Sequence, residues 1–454
     1  GQGGKGVFVS EYGVASAVNL ERTVRHYEQR GKGSCGEAKF YRQALDQFYA
    51  DWERWNMAQC FGRPQEYFEQ CIAQMAEQRL LGINALRGNP SCIGYSLTGT
   101  VDQGYSGEGL TTAFRELKPG TVDAIFEGFA PLRWCLFVEP VNVYRGTKVK
   151  LEAVLANEDV LRPGEYPVRL EVFSSGMQKV FSRTVTVKIA DRGGKSEPAF
   201  ALPVFAEEIT TDWPSDSYRF TATFERDGAP AGGTTEFYVT DAAAMPAVET
   251  EVVLWGEDAE LAGWLGTHGI KVKPFADSPQ KAGEVILVSR NAAGPDKAGA
   301  LRELTDRINQ GAHAIFLCPQ VFDQNGVPVT MLQPSGKLSL VSMWSTVYHK
   351  DEWAKRHPIF DGLPAGGILN TAYYREMLSP LAWVGQSTPA EAVAGAIHAQ
   401  PSYSSGLQVA VYKLGQGNFI LNTLQIRENL GKHPAAERLL RNMVRYAAQN
   451  VDKP

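Results

Sequence analysis

Carboxylates offer the clearest chemistry in this chain. The run Val7-Phe8-Val9-Ser10-Glu11-Tyr12-Gly13 leads apolar residues into an acid and then breaks at a glycine. It reads as a buried strand ending in a carboxylate, and strand ends are where parallel barrels present their reactive groups. An unpaired carboxylate is expensive to desolvate, so Glu11 must reach water, meet a cation or do chemistry. As a nucleophile it needs hydrogen-bond donors that keep it ionised and a second carboxyl group for proton transfer. Tyr12 is adjacent but should point to the opposite strand face. Asp102 and Glu108, the latter in Gly107-Glu108-Gly109, are loop carboxylates that could line a mouth or simply be solvated. Trp52 and Trp55 could stack on the C–H face of a ring, or pack in a core or lid. Arg22, Arg25, His26 and Arg30 could meet an acidic ligand or form a solvated helical face.

The surrounding pattern predicts the elements that hold these groups. An amphipathic helix runs from about Pro64 to Leu86, with Phe68, Ile72, Met75, Ala76 and Leu80 on one side, and Gly88-Asn89-Pro90 ends it. A second strand, Cys92 to Leu97, leads into a glycine-rich loop, and Lys118-Pro119 opens a short helix through about Phe129. Residues 1–130 thus form a strand–helix–strand–helix unit with a long insertion after Glu11. Residues 131–245 change to period two (Val149 to Leu155, Tyr166 to Phe173, Val180 to Ile189, Tyr218 to Phe224), which predicts an immunoglobulin-like β-sandwich. Residues 246–454 alternate strands (Glu251 to Trp255, Glu284 to Ser289, Ala314 to Leu317, Phe419 to Leu424) with helices, which predicts a flavodoxin-like, doubly wound α/β domain.

Length and composition agree with three domains: 454 residues at roughly 150 per domain. A hydrophobic share of 44%, a charged share of 21% and a net charge of -5 leave no footprint for nucleic acid or an anionic membrane surface. No apolar run reaches the roughly 18 residues of a spanning helix. The six cysteines lack C-x-x-C spacing and five fall in the first third, which argues against a disulfide framework. No G-x-G-x-x-G or Walker pattern is present, and no cofactor or metal is expected. The compartment is left open, and a homo-oligomer is allowed.

The first two regions resemble the end of glycoside hydrolase family 2, the β-galactosidase and β-glucuronidase group. The resemblance rests on Ser10-Glu11-Tyr12-Gly13, the helix start Glu66-Tyr67-Phe68-Glu69-Gln70, the strand Gly94-Tyr95-Ser96-Leu97, then Gly107-Glu108-Gly109-Leu110 and Leu117-Lys118-Pro119, with a β-sandwich following. It implies strands seven and eight of a (β/α)8 TIM barrel, with Glu11 as the nucleophile of retaining hydrolysis of a terminal β-linked sugar. Trp52, Trp55, Asp102 and Glu108 would then be sugar contacts, although the family's usual tryptophan after strand eight is replaced by Leu97-Thr98-Gly99-Thr100. The family's acid/base lies on an earlier strand, so the expectation is an N-terminally truncated, inactive portion of a longer enzyme. The third region resembles a glutamine-amidotransferase-like domain through His357-Pro358-Ile359-Phe360-Asp361-Gly362-Leu363 and Gly415-Gln416-Gly417-Asn418-Phe419-Ile420-Leu421. Cys318 lacks glycine flanks and His433-Pro434-Ala435 lacks the following acid, so that domain is expected to be inert. The alternatives are a non-catalytic carbohydrate-binding or assembly module, and a hydrolase built on Cys318.

Overall fold

The computed structural model describes residues 6–103, 106–191, 201–289, 297–318, 321, 323–324, 327–328, 339–342, 350–384 and 387–449. In chain order, strand β1 (Val7–Tyr12) is followed by helices α1 (Leu20–Gln29), α2 (Gly36–Arg54), α3 (Ala58–Phe61) and α4 (Pro64–Arg87), then β2 (Cys92–Leu97) and α5 (Thr121–Gly128). The strands β3 (Leu132–Glu139), β4 (Asn142–Tyr144), β5 (Lys148–Asn157), β6 (Gly164–Ser174), β7 (Lys179–Ile189), β8 (Ala201–Thr210), β9 (Asp216–Phe224) and β10 (Thr234–Thr240) come next. Beyond them lie β11 (Val252–Trp255), α6 (Ala259–Thr267), β12 (Val272–Pro274), β13 (Val285–Val288), α7 (Lys297–Asn309) and β14 (His313–Phe316).

The chain forms two compact units that do not follow chain order. One contains Gly1–Ser16 and Ile72–Ala244, the other Ala17–Cys71 and Met245–Pro454. This differs from consecutive domains at 1–130, 131–245 and 246–454, because the insertion after Glu11 belongs with the C-terminal segment.

In the first unit β1 and β2 pair in parallel as a two-stranded sheet. Phe8 and Ile93 on these strands are exposed. Downstream, sheets β3-β5-β8 and β4-β10-β9-β6-β7 share one core through Trp134, Leu151, Leu155, Val168, Phe220 and Phe237. Period-two patterning produces this core, since β5 alternates buried and less buried positions from Val149 onward. Tyr218 near the start of β9 is buried, and its hydroxyl donates to Pro214 O at 2.8 Å. Two arginines tie the helices to the sandwich. Arg87 on α4 donates to Gly128 O and Ala130 O and pairs with Glu158 at 2.7 Å, while Arg133 on β3 donates to Asn84 Oδ1 and Glu127 O.

In the second unit a mixed sheet begins with β12, β11, β13, β14 and the strand Gly417–Asn422, each parallel to the one before it in this order. The sequence pattern predicts strict strand–helix alternation, but the sheet continues with antiparallel strands Ser404–Leu414, Glu391–His398 and Asp351–Ala354. A two-residue turn starts the reversal: Leu414 pairs with Gly417, and Gly415 adopts a φ of 59° that favours glycine. Gly415 thus serves the hairpin, while Gly417 permits a close approach to the chain entering β14, since a Cβ on it would lie 2.1 Å from Ala312 O.

The insertion completes this unit's core. Phe48, Trp52, Trp55, Phe61, Tyr67 and Phe68 share a buried cluster with Trp353, Ile397, Leu407, Ala410 and Phe419. Asn19 caps α1 by accepting from Arg22 N at 3.0 Å. Asp51 accepts from the hydroxyls of Tyr403 and Ser405, Val18 N donates to Ala399 O at 2.9 Å, and Ile368 N donates to Gln70 Oε1 at 3.0 Å. Each buried aromatic contributes on the order of 2 kcal/mol by removing apolar area from water. A protease site placed in the exposed Ala242–Ala244 turn should therefore cut the folded chain into two pieces that still co-elute by size exclusion and part only in denaturant. Separation in plain buffer would contradict a unit shared between the two pieces.

Candidate functional site

The C-terminal ends of β1 and β2 gather the polar groups of the first unit. The β1–β2 register pairs Val9 with Tyr95 and Tyr12 with Leu97, so Ser10 and Glu11 together lie opposite Ser96 alone. This β-bulge sits on the residue the sequence singles out, and bulges re-aim side chains at strand ends. Val9 and Tyr12 are half-buried, whereas Ser10 and Glu11 are exposed, so the bulge carries Glu11 to the open face, away from the Tyr12 phenol.

Tyr12 is anchored on α4. Its hydroxyl donates to Arg79 O at 2.8 Å and Gln78 O at 3.3 Å, and a Cβ on Gly82 would lie 2.0 Å from it. Burial pushes the phenol up to about 12, against the pull of Arg79. Tyr12 is therefore a fixed structural donor. No hydrogen bond or ion pair holds the Glu11 carboxylate among the described residues, so the donors expected to keep a nucleophile ionised are not supplied here.

Glu108 lies beside the end of β1. Its Oε1 accepts from Thr98 Oγ1 at 2.6 Å and occupies the place of a side chain on Gly13, since a Cβ there would stand 1.5 Å from it. Gly99, at a φ of 68°, leaves room for the same side chain. The Glu108 carbonyl accepts from Arg79 Nη2, which also donates to Val14 O at 3.3 Å. Arg79 is fully buried, and desolvation lowers its pKa while Tyr12 and Glu108 oppose that shift.

Asp102 has a different role from the one the sequence suggests. It is buried, and its Oδ1 accepts from Lys118 Nζ at 2.6 Å and Gly109 N at 2.8 Å. Burial raises its pKa, although Lys118, the Gly109 N–H and Arg79 pull the other way. Lys118 also donates to Gly107 O at 2.6 Å, so the pair folds the glycine-rich loop and offers no open carboxylate. Trp52 and Trp55 require a correction as well. They are 6% and 2% exposed in the core of the second unit, with Trp55 packed on Trp353 at 6.0 Å, so neither presents a face to a sugar. Arg30 contacts His26 at 2.8 Å on the exposed side of α1.

Sequence reasoning missed Arg79. The signal was there: Arg79, Ile83 and Arg87 continue the stripe of Ile72, Met75 and Ala76 at helical spacing, and all are buried. A charged residue on an apolar stripe needs a partner at that depth.

In the second unit the carboxyl ends of β11 and β13 are filled by an ion pair. Asp258 accepts from Arg427 at 2.7 and 2.8 Å, from Ser289 Oγ and from Leu261 N. Burial alone would raise the Asp258 pKa, but these donors hold it well below the usual carboxylate range. This is the position where doubly wound sheets open a ligand crevice. Cys318 is half-buried two residues beyond β14, and Pro319 lies outside the described residues. His433 has both ring nitrogens engaged, Nδ1 accepting from Ala435 N at 3.2 Å and Nε2 facing Tyr373 O at 3.1 Å, and burial lowers its pKa. His357 is likewise occupied, accepting from Ile359 N and meeting Glu391 at 2.7 Å.

The sequence matches no protein-family model and no curated protein. Among solved structures, similarity extends to a Parabacteroides merdae β-glucuronidase with 10% identity and a TM-score of 0.18, over 41% of this chain and 29% of that one. A glycosyl hydrolase family 2 member from Bacteroides cellulosilyticus gives 9% identity and a TM-score of 0.18, over 42% and 32%. The Pseudomonas fluorescens alkylpurine DNA glycosylase AlkC, bound to DNA containing an abasic site analog, gives 15% identity and a TM-score of 0.19, over 27% and 39%. The chain thus spans about a third of each of these proteins, and at such scores the overlap carries no inference about fold or activity.

Gly13 offers a direct check of the local geometry. Gly13→Ala should displace the Glu108 carboxylate and destabilise the chain by about 1–2 kcal/mol in urea unfolding. Combined with Glu108→Ala, which removes the closest obstructing atoms and leaves Thr98 Oγ1 at 2.5 Å free to turn away, the cost should be at least about 0.5 kcal/mol below the sum of the single changes. Additive costs would contradict the packing of Glu108 on Gly13.

Proposed function

We propose that the first unit carries the nucleophile strand of a glycoside hydrolase of the family 2 type, acting with retention on a terminal β-linked sugar. The observation that carries this proposal is Glu11 itself, an exposed carboxylate delivered by a bulge to the open face at the C-terminal end of a parallel strand. Support also comes from the domain pattern. The two facing sheets with a tyrosine near the start of β9 hydrogen-bonded to upstream backbone suit an immunoglobulin-like sandwich. The parallel strands β12, β11, β13 and β14 suit an appended amidotransferase-like domain, inert because His433 is committed and Asp258–Arg427 fills the strand ends.

In such an enzyme a Glu11 oxygen attacks the anomeric carbon while a second carboxylic acid, about 5 to 5.5 Å away, protonates the departing oxygen. The same second group then activates the water that hydrolyses the glycosyl ester. Among the described residues β1 and β2 form a two-stranded parallel sheet, and in the family the acid/base lies on a different strand from the nucleophile.

A second reading, a non-catalytic carbohydrate-binding or assembly module, draws support from the lack of donors on Glu11 among the described residues. Glu11→Gln in the longest natural chain that carries this sequence separates the two. The enzyme reading expects hydrolysis of p-nitrophenyl β-glycosides to fall roughly a thousandfold or more while the sugar still binds. Unchanged hydrolysis in the variant would sink the nucleophile assignment, and binding without hydrolysis in the parent would favour the module.

A further inference from the structure

We propose that His433 is an acid-sensitive latch in the second unit: a neutral imidazole fixes the start of the C-terminal helix Pro434–Gln449, and a proton on that ring loosens the first turn. Pro434 opens the helix without an N–H of its own, so Ala435 and Ala436 carry its first backbone donors. His433 takes both, Ala435 N at its Nδ1 (3.2 Å) and Ala436 N at its carbonyl (3.0 Å). A ring nitrogen that accepts is unprotonated, so the neutral ring carries its hydrogen on Nε2 and donates to Tyr373 O at 3.1 Å. The side chain thus ties the helix start to the short helix Thr371–Tyr374.

A second proton has one place to go, Nδ1, where it meets the Ala435 N–H donor against donor. It also sets a positive charge at the N-terminus of a 16-residue helix, the end at which the backbone dipole is already positive. His433 is 4% exposed, so water does little to solvate that charge. Glu376 Oε2, 3.7 Å from Nε2, favours the proton, but its side chain is 43% exposed and water screens it. The other charges near the helix start are engaged elsewhere: Lys432 donates to Glu428 O, and Glu437 pairs with Arg441. Burial therefore holds the His433 pKa below the ordinary histidine value, against Glu376 and the Tyr373 carbonyl. The unfolded segment takes up its proton near pH 6.5 and the folded one only at lower pH. The contribution of the latch is complete above that range. Below it, the folded turn loses about tenfold in population per pH unit until the buried ring itself titrates. His357-Pro358 repeats the device with a different balance. His357 Nδ1 accepts from Ile359 N, but its Nε2 meets the Glu391 carboxylate at 2.7 Å, so a proton there gains an ionic partner.

The test uses the 454-residue chain with two measurements. Ring nitrogen shifts of the histidines by NMR, with His433 assigned by its loss in His433→Asn or His433→Gln, should show the Nε2–H tautomer at pH 7.5 and a pKa below 6.5. Hydrogen exchange of the helix start, corrected for the intrinsic pH dependence, should accelerate about fivefold to tenfold between pH 7.5 and pH 5.5. His433→Asn keeps a cap acceptor but has no proton to gain, so it should abolish that acceleration. His357→Asn should leave the acceleration in place. A His433 ring that is charged at pH 7.5, or that carries its hydrogen on Nδ1, would overturn the latch on the parent chain alone, whether or not the variants fold. An acceleration that persists in His433→Asn, or that disappears in His357→Asn instead, would overturn it as well.

Discussion

A buried guanidinium holds the ends of two parallel strands in one arrangement. Arg79 projects from α4, accepts the Tyr12 hydroxyl on its own carbonyl, and donates through Nη2 to Val14 O and Glu108 O. It thereby fixes the backbone on both sides of Gly13 and the loop that carries Glu108. Hydrogen bonds from a charged donor contribute on the order of 2 kcal/mol each, and a guanidinium out of water is costly unless its donors are used. Nε and Nη1 find no acceptor among the described residues, so Arg79 is an expensive residue for this position. What it secures is local geometry: the bulged Glu11 on one face, Tyr12 on the other, and Glu108 in the space that Gly13 leaves open.

The strands and helices near this cluster were legible because their periodicities are simple. The helix Pro64–Arg87 and the strand Cys92–Leu97 follow directly from apolar spacing and the intervening Gly-Asn-Pro. The sandwich strands alternate because each has one face on a shared core. The antiparallel half of the second unit's sheet was not legible. Ser404–Leu414 is buried from Gly406 through Tyr412 without alternation, since both faces are covered. A strand buried on both faces reads as a featureless apolar run. Its cover comes in part from residues 17–71, more than 300 positions earlier, and no local pattern encodes that pairing.

The candidate site was legible only in outline. Glu11 and Glu108 could be named from a strand end and a glycine-flanked loop, but their relation depends on a missing side chain at Gly13 and a bulge of one residue. Asp102 looked like an exposed loop acid because Lys118, its partner, lies sixteen residues away in a turn of irregular structure. Trp52 and Trp55 looked like ring platforms because composition cannot distinguish a stacking surface from a core. Their burial with Trp353 settles their role as packing.

The central claim is that Glu11 forms the covalent bond to sugar. Azide rescue of Glu11→Ala, in the longest natural chain that carries this sequence, tests it most directly. Small anions can enter the space the carboxylate vacates and attack the anomeric carbon from the same side. The account predicts that hydrolysis of an activated aryl β-glycoside is lost in the variant, and that added azide restores turnover with the α-glycosyl azide as product by NMR. Hydrolysis at the parent rate without azide, or a variant that azide neither accelerates nor converts to an α-glycosyl azide, would contradict it.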